Sequence, residues 1–136
     1  MSYVIPADDF NFAGEASSNA KKVFRQLGIP PEIVRKAAIS MYEAEMNAVI
    51  HGQGGRAEIE ICSHKILIRV SDNGPGIPDV GLAMQEGYST ASDAVREKGF
   101  GAGMGLPNIK RHSDCLDIRT EVGKGTTLEI MISLKG

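Results

Sequence analysis

Apolar residues recur along this chain with two different periods, and the switches between them mark out its elements. Over residues 14 to 27, Ala16, Ala20, Val23, Phe24 and Leu27 fall at helical spacing, and Gly28 supplies a C-terminal stop. Pro30 and Pro31 open a second helix, with Pro31 near its first turn. Ile33, Val34, Ala37, Ala38 and Met41 share one side of it, and it runs to about Ile50, where Gly52, Gly54 and Gly55 end it. The period then falls to two. "AEIEIC" (57–62) and "KILIRVSD" (65–72) alternate on either side of Ser63 and His64, which predicts a hairpin. "LDIRTEV" and "TTLEIMISL" alternate around "GKG" and predict a second. Residues 2 to 6 suit a short edge strand ended by Pro6, and a helix is expected from Pro107 to about Ser113.

Between the hairpins, residues 73 to 105 hold ten glycines and prolines and read as a long loop with a short helix inside it. Loops of that length in a small domain usually carry function. The order is strand, two helices, two strands, long loop, helix, two strands. It predicts an α/β protein of the α+β two-layer sandwich type: a mixed, largely antiparallel sheet with helices on one face. The 136 residues suit a single domain with one core, 1–136.

Composition removes several classes of function. Apolar residues make up 42% and charged residues 24%, and the formal net charge is −2. With no basic patch and no Trp, neither a phosphate-backbone footprint nor a base-stacking platform is supplied, so no nucleic acid is expected as partner. No apolar run approaches membrane-spanning length, and "MSYVIPADDF" lacks the form of a signal peptide. Cys62 and Cys115 have no metal-site spacing and read as small apolar packing in a reduced, cytoplasmic protein.

Three stretches carry chemistry. In "GFGAGMGLPNIKR" (99–111), glycines at 99, 101, 103 and 105 run into a helix N-terminus, where backbone N–H groups favour an anion such as phosphate. Three common phosphate-binding patterns do not match. Leu106 and Pro107 stand where a P-loop needs Lys and Ser or Thr, the dinucleotide fingerprint lacks its third glycine, and the eukaryotic kinase set is missing its Val, Lys and Asp. In "SDNGPGIPD" (71–79), Asp72 ends a strand, and Gly74 and Gly76 flank Pro75. That carboxylate suits an amino group, and the glycines let a flat ring approach the backbone. In "YEAEMNAVIHG" (42–52), Glu43, Asn47 and His51 are four apart and line one helical face. An Asn carbonyl is a hard ligand suited to Mg2+. A carboxylate one turn earlier suits proton removal from a hydroxyl or water attacking phosphorus.

Taken in order, these stretches resemble the N, G1 and G2 boxes of the GHKL (Bergerat-fold) ATP-binding superfamily. The match is Glu43 to Asn47, Asp72-x-Gly74-x-Gly76, and Gly101-x-Gly103-x-Gly105, with "GKGTTLEI" similar to the family's last box. Gyrase, MutL and chaperone subunits attach a second domain to this module. Histidine kinases need a phospho-acceptor helix pair, and no His precedes Asn47. A stand-alone module with Glu four before Asn resembles the bacterial anti-sigma-factor and switch-protein serine kinases. "MQEGYSTAS" and the glycine stretch place it nearest their stress-response branch.

The resemblance implies ATP and Mg2+ as cofactors and transfer of the γ-phosphate to a Ser or Thr of a STAS-domain antagonist. It also implies a role for each matched residue. Glu43 is the catalytic residue that orients or deprotonates the partner's hydroxyl, and Asn47 is the Mg2+ ligand. Asp72 takes the adenine amino group, and Gly74, Gly76 and Ile77 line the ring. Gly101, Gly103, Gly105 and Leu106 hold the phosphates, and Thr126 or Thr127 helps hold the adenine. Residues 79 to 100 form a lid. Lys98, Lys110 and Arg111 read as solvated charges, with phosphate contact as the alternative. Ser89 and Thr90 read as turn or cap residues, with a lid hydrogen bond as the alternative, and His51 packs at the helix end. The resemblance leaves open a sigma factor or a phosphatase as further partner, and a homodimer. A nucleotide-gated binding module with little turnover is the alternative function.

Overall fold

The computed structural model describes residues 1–6, 14–50, 54–77, 80–84 and 105–134. Strand β1 (Ser2–Ile5) is followed by helices α1 (Glu15–Gln26) and α2 (Pro31–Ile50), then by the hairpin of β2 (Gly55–Ile61) and β3 (Lys65–Asp72). A short helix α3 (Val80–Ala83) precedes α4 (Gly105–His112), and β4 (Cys115–Glu121) and β5 (Gly125–Ser133) form the second hairpin. The strands make one five-stranded sheet in the order β1-β2-β3-β5-β4, and all four pairings are antiparallel. The largely antiparallel sheet expected from the alternation is therefore antiparallel throughout the described residues.

Alternation decides which sheet face is covered. Ile66, Ile68 and Val70 of β3 and Leu128, Ile130 and Ile132 of β5 are buried on the helix side. They meet Ala16, Ala20 and Phe24 of α1, Ile33, Ala37, Met41 and Ala44 of α2, and Leu106 and Ile109 of α4 in one core. Their neighbours in sequence form the other face, which carries an exposed lattice of ion pairs. Arg69 lies 3.4 Å from Glu129, and Arg119 lies 3.1 Å from Asp117 and 3.8 Å from Glu129. Such exposed pairs contribute little to stability, about 0–1 kcal/mol each.

Helix α1 ends as its sequence requires. Gly28 sits at φ +76°, Ile29 N–H donates to the Phe24 carbonyl at 3.1 Å, and Gly28 N–H donates to the Arg25 carbonyl at 3.1 Å. This is a Schellman closure, and it turns the chain directly into α2. Its N-terminus has no local cap. Instead Glu45 of α2 accepts from the backbone N–H groups of Gly14 (3.1 Å), Ala16 (3.1 Å) and Ser17 (3.0 Å). The Glu45 side chain is buried, and no sequence pattern near α1 announces it.

Several boundaries differ from expectation by one or two residues. Helix α4 begins at Gly105, two residues before Pro107, because its first turn packs against α2; it ends at His112. Gly55 and Gly125 lie inside strands rather than in turns.

Candidate functional site

One end of the sheet and the middle of α2 supply the polar groups. Asp72 continues the Ile66–Ile68–Val70 alternation and so lies on the helix side, at the last position of β3. Its Oδ1 accepts from Gly74 N–H at 2.9 Å and from Thr126 N–H at 3.1 Å. Both described bonds fall on Oδ1, which leaves Oδ2 to accept from a ligand. Burial raises the Asp72 carboxyl above the usual carboxylate range, and the two backbone donors pull it partly back.

Thr126 and Thr127 point to opposite faces, as adjacent strand residues must. Thr126 is 7% exposed and adjoins Asp72, whereas Thr127 Oγ1 lies 3.4 Å from Ser71 Oγ on the ion-pair face. The geometry separates a pair that the sequence left joined.

Gly76 has a constraint of its own. It sits at φ +81°, and a Cβ there would stand 2.5 Å from the Glu121 carbonyl oxygen. The loop lies on the β4–β5 hairpin, and Gly123 N–H donates to the Pro75 carbonyl at 2.8 Å. Close backbone approach between two parts of the chain is thus enough to demand glycine at 76. Ile77 packs against the core edge, and its N–H donates to Thr120 Oγ1 at 2.7 Å. Thr120 was not singled out by its sequence, where it is one polar position in an alternating strand.

On α2, Glu43 and Asn47 are half-buried and face the start of α4. A Cβ built on Gly105 would stand 3.5 Å from both Glu43 Oε2 and Asn47 Oδ1. The bare glycine therefore leaves a cradle between the two side chains and the α4 N-terminus. Asn108 Nδ2 reaches Glu43 Oε1 at 3.4 Å, and Arg111 Nη1 reaches Asn108 Oδ1 at 3.3 Å. His112 Nδ1 lies 2.8 Å from the Asn108 carbonyl oxygen. Burial raises the Glu43 carboxyl above its ordinary range, while the Asn108 amide and the charge of His112 lower it in part. Asn108 is a second residue that sequence reasoning missed; one turn into a short helix, it carries no pattern of its own. The Leu106 side chain is buried in the core, so only its backbone faces the cradle.

The remaining expected groups divide. Lys110 and Arg111 occupy the last turn of α4, where cations suit the helix dipole. Gly101, Gly103, Ser89, Thr90, Lys98 and His51 lie outside the described residues, as does most of the expected 79–100 lid.

A carboxylate and hydroxyl at the sheet end, and an acid–amide pair beneath a helix N-terminus, are groups of the kind a nucleotide-binding domain uses. The family model for histidine kinase-, DNA gyrase B- and HSP90-like ATPases matches residues 28–136, and the chain belongs to that family of ATP-binding domains. The anti-sigma F factor of Clostridium botulinum is 33% identical over 101 residues, spanning 70% of this chain and 66% of the relative, just under two thirds of its length. The serine/threonine-protein kinase RsbT of Bacillus subtilis is 27% identical over 113 residues, 80% of this chain and 79% of that protein. Among solved structures, the SiaB–SiaC complex of Pseudomonas aeruginosa superposes with a TM-score of 0.64 at 15% identity, over 97% of this chain and 88% of that one. The mycobacterial sensor histidine kinase MprB gives 0.56 at 16%, over 98% and 96%. At those identities the structures speak for the fold alone. No helix among the described residues is long and apolar enough to cross a membrane.

Proposed function

We propose that the chain is an ATP-dependent protein serine/threonine kinase of a partner-switching system, transferring the γ-phosphate to a Ser or Thr of a STAS-domain antagonist. The observation that carries this reading is Glu43: a carboxylate of raised basicity, beside Asn47, at the mouth of the cradle under α4. The name of the RsbT relative, a serine/threonine-protein kinase, supports it.

Asp72 Oδ2 accepts from the adenine amino group, Ile77 gives the ring an apolar wall, and Thr126 adds a hydroxyl beside it. The backbone at Gly105 and Leu106, at the positive end of α4, faces the phosphates, with Gly101 and Gly103 continuing the loop before it. Asn47 Oδ1 would hold Mg2+, which keeps most of its shell from water and phosphate and so needs few protein ligands. The cradle left by Gly105 fits that need. When bound, the metal supplies neutralisation of phosphate charge. The partner's hydroxyl oxygen bonds to the γ-phosphorus, the bond to the β–γ bridging oxygen breaks, ADP leaves, and the hydroxyl proton passes to Glu43. Asn108 holds one Glu43 oxygen, leaving the other for that proton.

Glu43→Gln is the test. ATP affinity by calorimetry stays within about threefold, while labelled-phosphate transfer to a STAS-domain partner falls by about 10²–10⁴-fold. Wild-type transfer is also lost on acidification, through a pKa above the usual carboxylate range, because only ionised Glu43 accepts the proton. Transfer unchanged in Glu43→Gln removes the base. The anti-sigma F relative favours a second reading, nucleotide-gated binding of a sigma factor. In that case Glu43→Gln leaves partner capture intact and there is no transfer to lose.

A further inference from the structure

Thr120, Thr126 and Asp72 stand side by side across β4, β5 and β3, on the helix side of the sheet. Thr120 and Thr126 are register partners, and Asp72 follows the Ser71–Thr127 pair. The Thr120 hydroxyl has three neighbours. Ile77 N–H donates to it at 2.7 Å, Thr126 Oγ1 lies 2.9 Å away, and the Gly125 carbonyl oxygen lies 3.3 Å away. A hydroxyl has one proton to give. If Thr120 gives it to Gly125, Thr126 must donate back to Thr120 and presents only lone pairs outward. If Thr120 gives it to Thr126, the nearer atom, the Thr126 proton is released to point away from the pair.

We propose that Thr120 is a positioning residue for base recognition: it donates to Thr126, and so turns Thr126 into a donor toward the ring nitrogen of the bound purine. This rests on the nucleotide-binding reading of the pocket. The chemistry of adenine fits. Its amino group is a donor and the adjacent N1 is an acceptor, so a carboxylate oxygen beside an outward hydroxyl proton is the complementary edge. Asp72 Oδ1 is taken by two backbone donors, which keeps Oδ2 for the amino group. Thr126 N–H is one of those donors, so the hydroxyl and the carboxylate are held to each other through one backbone bond. Thr120 also anchors Ile77, so the same hydroxyl sets the apolar wall and the polar edge of the pocket.

The measurement is a comparison of two ligands by calorimetry: ATP, and 1-deaza-ATP, in which N1 is replaced by C–H. In the wild type the analogue binds more weakly by roughly three- to tenfold, the worth of one hydrogen bond. In Thr120→Val the shape is kept and the hydroxyl lost, so the Thr126 proton is no longer held outward, ATP weakens while the analogue changes less, and the ratio falls below the wild-type value. Thr120→Ser restores the ratio. A purely structural role for Thr120 weakens both ligands alike and keeps the wild-type ratio in Thr120→Val, which overturns the proposal. A wild-type ratio of one overturns it too, since Thr126 then gives nothing to N1. No binding of ATP to the wild type removes the nucleotide site itself, a failure distinct from either. Amide NMR of nucleotide-free Thr120→Val, showing β4 and β5 still paired, keeps a folding defect from passing for the expected result.

Discussion

Asp72 shows how one residue's surroundings set the conditions under which a site works. Its carboxyl is raised by burial, so it protonates at a higher pH than a free aspartate. Only the ionised form accepts from an adenine amino group. ATP affinity is therefore flat above the raised pKa and declines as pH falls through it, by about tenfold per unit below it. ATP itself titrates, so the informative quantity is the difference from Asp72→Asn, measured by calorimetry between about pH 8 and about pH 5. The variant binds more weakly throughout and lacks this slope. Equal slopes in the two proteins would separate Asp72 from the base. At this scale the sequence was readable where a motif fixes both residue type and spacing, as for Glu43, Asn47 and Asp72. It was silent on Thr120 and Asn108. Each acts through a partner far along the chain, 43 residues away for the Thr120–Ile77 bond and 65 for the Asn108–Glu43 contact. Nothing local to either residue encodes that partner.

Helix α2 serves two faces at once. Glu43 and Asn47 look toward α4, whereas Glu45, between them in sequence, turns inward and closes the first turn of α1 through three backbone N–H groups. Those donors would otherwise be the unpaired N–H groups of a helix start, and Gly14 has no side chain to offer them. Glu45→Ala strands them in a site where Glu45 itself is 1% exposed, at a cost of about 2–4 kcal/mol. Glu45→Gln keeps an acceptor oxygen and costs about half as much. Urea unfolding of the three proteins gives the order wild type, Gln, Ala. An Ala variant as stable as wild type would mean that α1 needs no such cap. The elements themselves were legible wherever periodicity was uninterrupted: α1, α2 and all five strands fall within two residues of expectation. The start of α4 was read two residues late. Glycines read as loop, and the contact with α2 that draws Gly105 into the helix is tertiary.

Over the whole molecule, the candidate site joins β3, α2, α4 and β5, so a nucleotide bound there would bridge segments that the unfolded chain holds apart. Asp72 and Thr126 are 54 positions apart, and Glu43 and Asn108 are 65. The layer order was legible because hydrophobic period alone sorts strands from helices and leaves few ways to stack them. The expected lid, residues 79 to 100, lies mostly outside the described residues. A ligand that binds only the assembled site stabilises the fold by mass action, about 2.7 kcal/mol at a hundred times its Kd. For a chain of this size that raises Tm by roughly 8–11 °C. If Asn47 holds the metal, the rise has two parts. Mg-ATP gives the full shift in the wild type, and ATP with a chelator gives a smaller one. Asn47→Ala responds to both ligands with the smaller shift, because the base and the α4 N-terminus still bind while the metal has lost its protein ligand. A melting series with and without chelator separates the two contributions in a single experiment. An Asn47→Ala protein that keeps the full magnesium-dependent increment would place the metal on phosphate and water alone, and would leave Asn47 to some other use of the cradle beside Gly105.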